Sequence, residues 1–95
     1  MLDQAKMAMK MRKLQKELAR EVIEVNIGDG AIVIEINGEQ KVKAVTLDPD
    51  KIDFDDVAKL ERWLEEGIRE AIAKSQQVAA EKMRPMMGSL GNLGL

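Results

Sequence analysis

Two spacings of apolar residues divide the 95-residue chain into three parts. From Leu2 to Glu21 they recur at steps of three and four. Met7, Met11, Leu14, Leu18 and Val22 form one stripe, the period of a helical face. Lys6, Lys10, Arg12, Lys13, Lys16 and Arg20 fan across the other side, with Leu2 and Met9 among them. From Val22 the period drops to two and β-branched residues take over. Residues 22–28 form a predicted strand with Ile23, Val25 and Ile27 on one face, and 31–37 a second with Ile32, Ile34 and Ile36. Residues 41–47 form a third. Gly28-Asp29-Gly30 and Asn37-Gly38 supply the turns of an antiparallel meander. A register with Val42 and Ala44 beside the isoleucine face sets Lys41 and Lys43 beside Glu35 and Val33. A one-residue slip would send lysines into the core. The second face then carries Val33, Val45 and Leu47 among Glu24, Glu35, Lys41 and Lys43.

After the Leu47-Asp48-Pro49-Asp50 turn the helical period returns. Val57, Leu60, Leu64, Ile68, Ala71, Ser75 and Val78 share a face, and the spacing predicts a helix over 54–83. Asp53 is its expected N-cap, with Asp55 and Asp56 in the first turn, where the helix dipole favours anions. Arg84-Pro85 is its expected end, because a residue before proline is pushed out of helical geometry. About thirty residues rise roughly 45 Å, whereas seven-residue strands reach only about 23 Å. The distal half of this helix must therefore pack on the N-terminal helix or on another copy of the chain. Ala71, Ser75 and Ala79 allow close approach, and with Leu64, Ile68 and Val78 they are the candidate dimer interface. Gly67 costs about 1 kcal/mol relative to alanine mid-helix, so a neighbouring backbone or Trp63 is expected in the space it leaves. The fold class is α+β: an N-terminal helix, a three-stranded antiparallel meander and a long C-terminal helix. Residues 1–87 are read as one domain, and 88–95 as a flexible glycine-leucine tail.

Composition narrows the chemistry. The chain has no cysteine and no histidine, which removes disulfides, thiolate metal sites and the commonest general base. The lack of cysteine suits a reducing cytoplasm, and no apolar run is long enough to span a bilayer. Asp53, Asp55 and Asp56 read as capping groups, since their spacing does not match a calcium loop. Gly28-Asp29-Gly30 lacks the following lysine-serine/threonine of a phosphate loop. Ser75 and Lys82 have no oxyanion donor nearby. The chain is read as a non-enzyme with no cofactor, no metal site and no small-molecule substrate.

Charge distribution carries more than the net value of −2. Residues 1–20 hold six basic and two acidic groups, residues 21–70 six and fourteen, and residues 71–95 three and one. A basic end joined to an acidic body fits an acidic partner met by that end.

In this order the pieces resemble the YbaB/EbfC family of nucleoid-associated proteins. Gln4-Ala5-Lys6-Met7 and the Met/Lys/Gln-rich helix are similar to the family's first helix. Ile36-Asn37-Gly38 and Val45-Thr46-Leu47-Asp48-Pro49 resemble its hairpin and its exit from the sheet. Leu60-Glu61, Glu81-Lys82-Met83 and the segment Gly88 to Leu95 lie at family-like places. Two features depart from the pattern: no glycine-rich leader precedes the first helix, and Trp63 and Gly67 stand where the family tends to place aliphatic residues or alanine. The resemblance implies a cytoplasmic homodimer with projecting helices that binds double-stranded DNA in the nucleoid. Lys6, Lys10, Arg12, Lys13, Lys16 and Arg20 are the candidate DNA contacts, with Lys82 and Arg84 as secondary ones. Binding through phosphates predicts weak sequence preference and steep salt dependence. The alternative is a protein-interaction module that uses the methionine-rich helix and the tail.

Overall fold

In a computed structural model, which describes residues 2–94 and the side chains of residues 3–85, the chain runs α1 (Leu2–Arg20), β1 (Val22–Ile27), β2 (Ile32–Asn37), β3 (Val42–Leu47) and α2 (Val57–Gly94). The strands form one antiparallel sheet in the order β1-β2-β3. Extents of 61 × 23 × 16 Å reflect the long α2.

The β1–β2 pairing sets Ile23 opposite Ile36, Val25 opposite Ile34 and Ile27 opposite Ile32, so the expected isoleucine face is continuous. With Ala31, Ile52 and Ala71 these residues make the core, and Leu60, Trp63 and Leu64 of α2 pack against it. Gly67 sits at the crossing: a Cβ there would lie 2.9 Å from Ile34 Cδ1 and 3.2 Å from Ile27 Cγ1. The space is taken by sheet side chains, and not by Trp63 or a neighbouring backbone. Trp63 instead lies flat against the first turn, where a Cβ on Gly28 would come within 2.8 Å of its ring. In that turn Gly28, Asp29 and Gly30 all adopt positive φ, at 64°, 56° and 89°.

The β2–β3 register corrects the expectation from alternation. Ile36 pairs with Val42, but Glu35 pairs with Ala44, so the ladder slips by one residue at Lys43. Val45 and Leu47 then lie opposite Ile34 and Ile32, on the isoleucine face. Ala44 moves to the other side, opposite Glu35. A bulge keeps Val42 on the isoleucine face at one end of β3 and turns two further apolar residues onto that face at the other. The hairpin is also longer than a two-residue Asn-Gly turn. Asn37 N–H donates to the Lys41 carbonyl over 2.9 Å, and the left-handed residue is Gln40, with φ 65°.

Both ends of α2 differ from the predicted ones. Asp53 Oδ1 accepts the Asp55 N–H at 3.0 Å and so closes a turn ahead of the helix. The cap is Asp56, whose Oδ1 accepts the Lys59 N–H at 3.1 Å, the spacing from N-cap to N3. At the other end the helix does not stop before proline but passes through Pro85 to Gly94. A proline in a helix interior removes one hydrogen bond and costs about 3 kcal/mol. Glu81, whose carbonyl is thereby left without its intrahelical partner, is solvent-exposed, so water is at hand. The side chains of the expected flexible tail, 88–95, lie outside the described residues.

Beyond the sheet, α1 packs on α2. It also touches β2, and of its side chains Leu14 and Leu18 are buried and Met7 and Ala19 half-buried. Past Ser75 the described part of α2 is only partly covered: Val78, Ala79 and Lys82 are half-buried and the other side chains are exposed.

Candidate nucleic-acid interface

The stripe that buries Leu14 and Leu18 decides where the cations of α1 point. At 3.6 residues per turn, Lys6, Lys10, Arg12, Lys13, Lys16 and Arg20 fall within an arc of about 160°, centred roughly opposite that stripe. All six are exposed, and none forms an ion pair among the described residues. Lys6 and Arg20 stand about 21 Å apart along the axis. Arg12, Lys13 and Lys16 line a shallow groove with Met9, whose side chain is 71% exposed in the midst of the charge. Neighbouring like charges are tolerable only in water or against anions.

The secondary candidates differ from these. Lys82 Nζ lies 3.9 Å from Glu21 Oε2, joining α2 to the end of the arm, whereas Arg84 is exposed. The lysines of the body sit in another setting. Lys51 Nζ donates to the Asp29 carbonyl at 2.8 Å, and Lys59 Nζ stands 4.7 Å from the Trp63 ring centroid.

The six residues expected to form a dimer face are not all on one surface. Ala71 and Ser75 are buried within the chain, and Leu64 packs on the core. Val78 and Ala79 are half-buried, and Ile68 is exposed. Ile68 belongs instead to an apolar groove of about 360 Å³ beside β3, lined with Ile34, Ile36, Val42, Val45, Ala71 and Ile72. Sequence reasoning missed this groove because the bulge that turns Val45 toward it leaves no mark in the alternation of residues.

It also missed Asn37 as more than a turn residue. Asn37 is fully buried, and its side chain bonds the Ala19 carbonyl at the end of α1. An asparagine with an apolar strand behind it and a helix end close in space is a signal only once that closeness is known.

Among the described residues no group of three or more acidic side chains is placed to hold a metal ion, and no helix is long and apolar enough to cross a membrane. Fold and surface together define a small α+β scaffold that presents a cationic helix beside an acidic body. The chain belongs to the YbaB/EbfC DNA-binding family, whose model matches residues 1–90. It is 40% identical over 87 residues to a nucleoid-associated protein of Chloroflexus aurantiacus, covering 92% of this chain and 87% of that one. A nucleoid-associated protein of Ruminiclostridium cellulolyticum is 36% identical over 88 residues, covering 93% and 76% of the two chains. One of Dictyoglomus thermophilum is 32% identical over 85 residues, covering 90% and 82%.

Proposed function

We propose that this chain is a nucleoid-associated protein that acts as a homodimer and holds duplex DNA through the basic face of α1. The observation that carries the reading is the arc of six exposed cations, opposite the buried stripe of the same helix and without acidic partners among the described residues. Such a surface binds by neutralising phosphates and releasing counterions, so it is sensitive to salt and nearly indifferent to base sequence. The acidic body is held away from the duplex, and Lys82 and Arg84 add weaker contacts. The family and the names of the relatives support this reading.

The second copy is proposed to seat at the groove beside β3. The edge of β3 away from β2 is free of strand partners among the described residues, while Val42, Val45, Ile68 and Ile72 are each 41–59% exposed beside it. An open edge next to an apolar groove suits a two-fold contact in which the same patch serves both partners. Leu64, Ala71 and Ser75 then support that interface from within each chain, with Val78 and Ala79 further along α2.

A fluorescence-anisotropy titration of labelled duplex at low and physiological salt tests the DNA reading. Replacing Lys6, Lys10 and Lys13 with glutamine is expected to leave the fold intact, because all three lie off the buried stripe. Affinity should drop by a large factor, and the slope of log affinity against log salt should flatten by about 0.9 for each phosphate no longer neutralised. The same change at Lys41, Lys43 and Lys51 should do much less. Equal losses would remove α1 as the DNA-binding element. No loss from either would favour a protein partner, the reading that the exposed Met9 supports.

A further inference from the structure

The orientation of α1 depends on very few groups. Only Leu14 and Leu18 of this helix are buried among its described side chains, and both lie in its second half. At its C-terminal end the last carbonyls have no partners within the helix, as in any helix. The Glu21 N–H returns to the Glu17 and Leu18 carbonyls, and the β2–β3 hairpin reaches two of the last four. Gly38 N–H donates to the Leu18 carbonyl at 2.8 Å, and Asn37 Nδ2 donates to the Ala19 carbonyl at 3.2 Å. Asn37 is itself fixed on every side. Its Oδ1 accepts the N–H groups of Glu39 and Lys41, at 2.9 and 3.0 Å. Its own carbonyl accepts the hydroxyl of Ser75 at 2.7 Å, from the middle of α2. Asn37 and Ser75 are both fully buried. One asparagine therefore joins the end of α1, the hairpin and α2.

We propose that Asn37 is a positioning residue for DNA binding: with Gly38 and Ser75 it forms a pivot that sets the angle at which the cationic helix leaves the body. The proposal rests on α1 being the DNA-binding element. A helix anchored mainly through its second half turns a small change of angle there into a larger displacement of its first half. Lys6 stands about 20 Å from Ala19 along the axis, so a tilt at the pivot moves Lys6 and Lys10 most. The pivot would then decide how many of the six cations reach phosphates together, without itself touching DNA. In a dimer it also sets the separation of the two arms.

Two variants separate this role from plain stability. Asn37→Asp keeps the acceptor for Glu39 and Lys41 but turns an oxygen toward the Ala19 carbonyl, at the negative end of the helix dipole. Gly38→Ala acts by shape alone: its Cβ would lie 3.0 Å from the Leu18 carbonyl oxygen and 3.1 Å from Leu18 Cα, so the end of α1 must give way. Ile52→Val, in the core at the far end of the sheet, serves as the control for lost stability. The chain has no cysteine, so spin labels at Gln4→Cys and Gln77→Cys report the angle between α1 and α2. Labelled protein is diluted with unlabelled chain so that only intrachain distances are read.

Both pivot variants should shift or broaden the distance distribution. They should lower duplex affinity about tenfold and flatten the salt slope by about 0.9 or more, with every cation still present. Ile52→Val should change neither. Should Asn37→Asp fail to fold, Gly38→Ala decides alone. Unchanged distances, or changed distances with affinity and slope intact, would overturn the pivot. If the Lys6, Lys10, Lys13 triple variant binds like the parent, the arm reading falls and takes this role with it. A shifted distance in that case still tells the two failures apart.

Discussion

Ile34 and Val45 face each other across one rung of the same sheet, on the same side, yet one is 2% exposed and the other 53%. The difference lies in what covers them. α2 crosses β1 and β2 and leaves β3 largely bare on the face it shares with them. Alternation assigns a residue to a face of a sheet, whereas the path of a helix decides whether that face is dry. The covered half is what folds this chain. The uncovered half has the same apolar character and no cover of its own, and there the proposed second copy would sit.

The sharpest test of the covered half is Ala71→Glu. Ala71 is 2% exposed against the core, and an unpaired carboxylate buried there costs several kcal/mol. The variant is expected to lose its cooperative melt by circular dichroism; a parent-like melt would place Ala71 outside the core. Ile34→Ala should cost about 2–5 kcal/mol in urea titration, the range for emptying a packed core site. Asp56→Ala should remove about 1 kcal/mol by loosening the start of the covering helix, and Asp53→Ala less. On the bare half, Val45→Ala should change the stability of a dilute sample by no more than about 0.5 kcal/mol. At high concentration the same variant should be less stable than the parent, since the dimer gains stability by mass action. Val45→Glu should give a folded monomer in sedimentation equilibrium. A Val45 variant insensitive to concentration would make the two halves alike in solution and move the dimer interface elsewhere.

The order of elements and the isoleucine face were legible because they depend on spacing within each segment. Gly67 was legible as a close approach, though not what approaches it, because Ile27 and Ile34 come from strands far away in sequence. The cap moved from Asp53 to Asp56 because several aspartates in a row all suit a helix start, and only geometry selects among them. The bulge at Lys43 was hidden because Val42 and Ala44 satisfy strict alternation on the isoleucine face, and only the pairing of Glu35 with Ala44 reveals the slip. The cations of α1 could be named from the first helical stripe alone. Asn37 could not, because its partners Ala19 and Ser75 lie 18 residues before it and 38 after it.

The lone tryptophan has a practical consequence for spectroscopy. Trp63 rests on the Gly28 turn with Lys59 beside its ring, and Ser75 and the pivot lie about 18 Å further along α2. The molecule's optical reporter therefore sits at the end away from its cationic helix. Emission should stay nearly constant as duplex saturates α1 and should shift to the red when the body unfolds. A flat fluorescence titration is then compatible with full occupancy. The same indole can follow the melting of the body in the presence of DNA, while a label on the duplex follows its release.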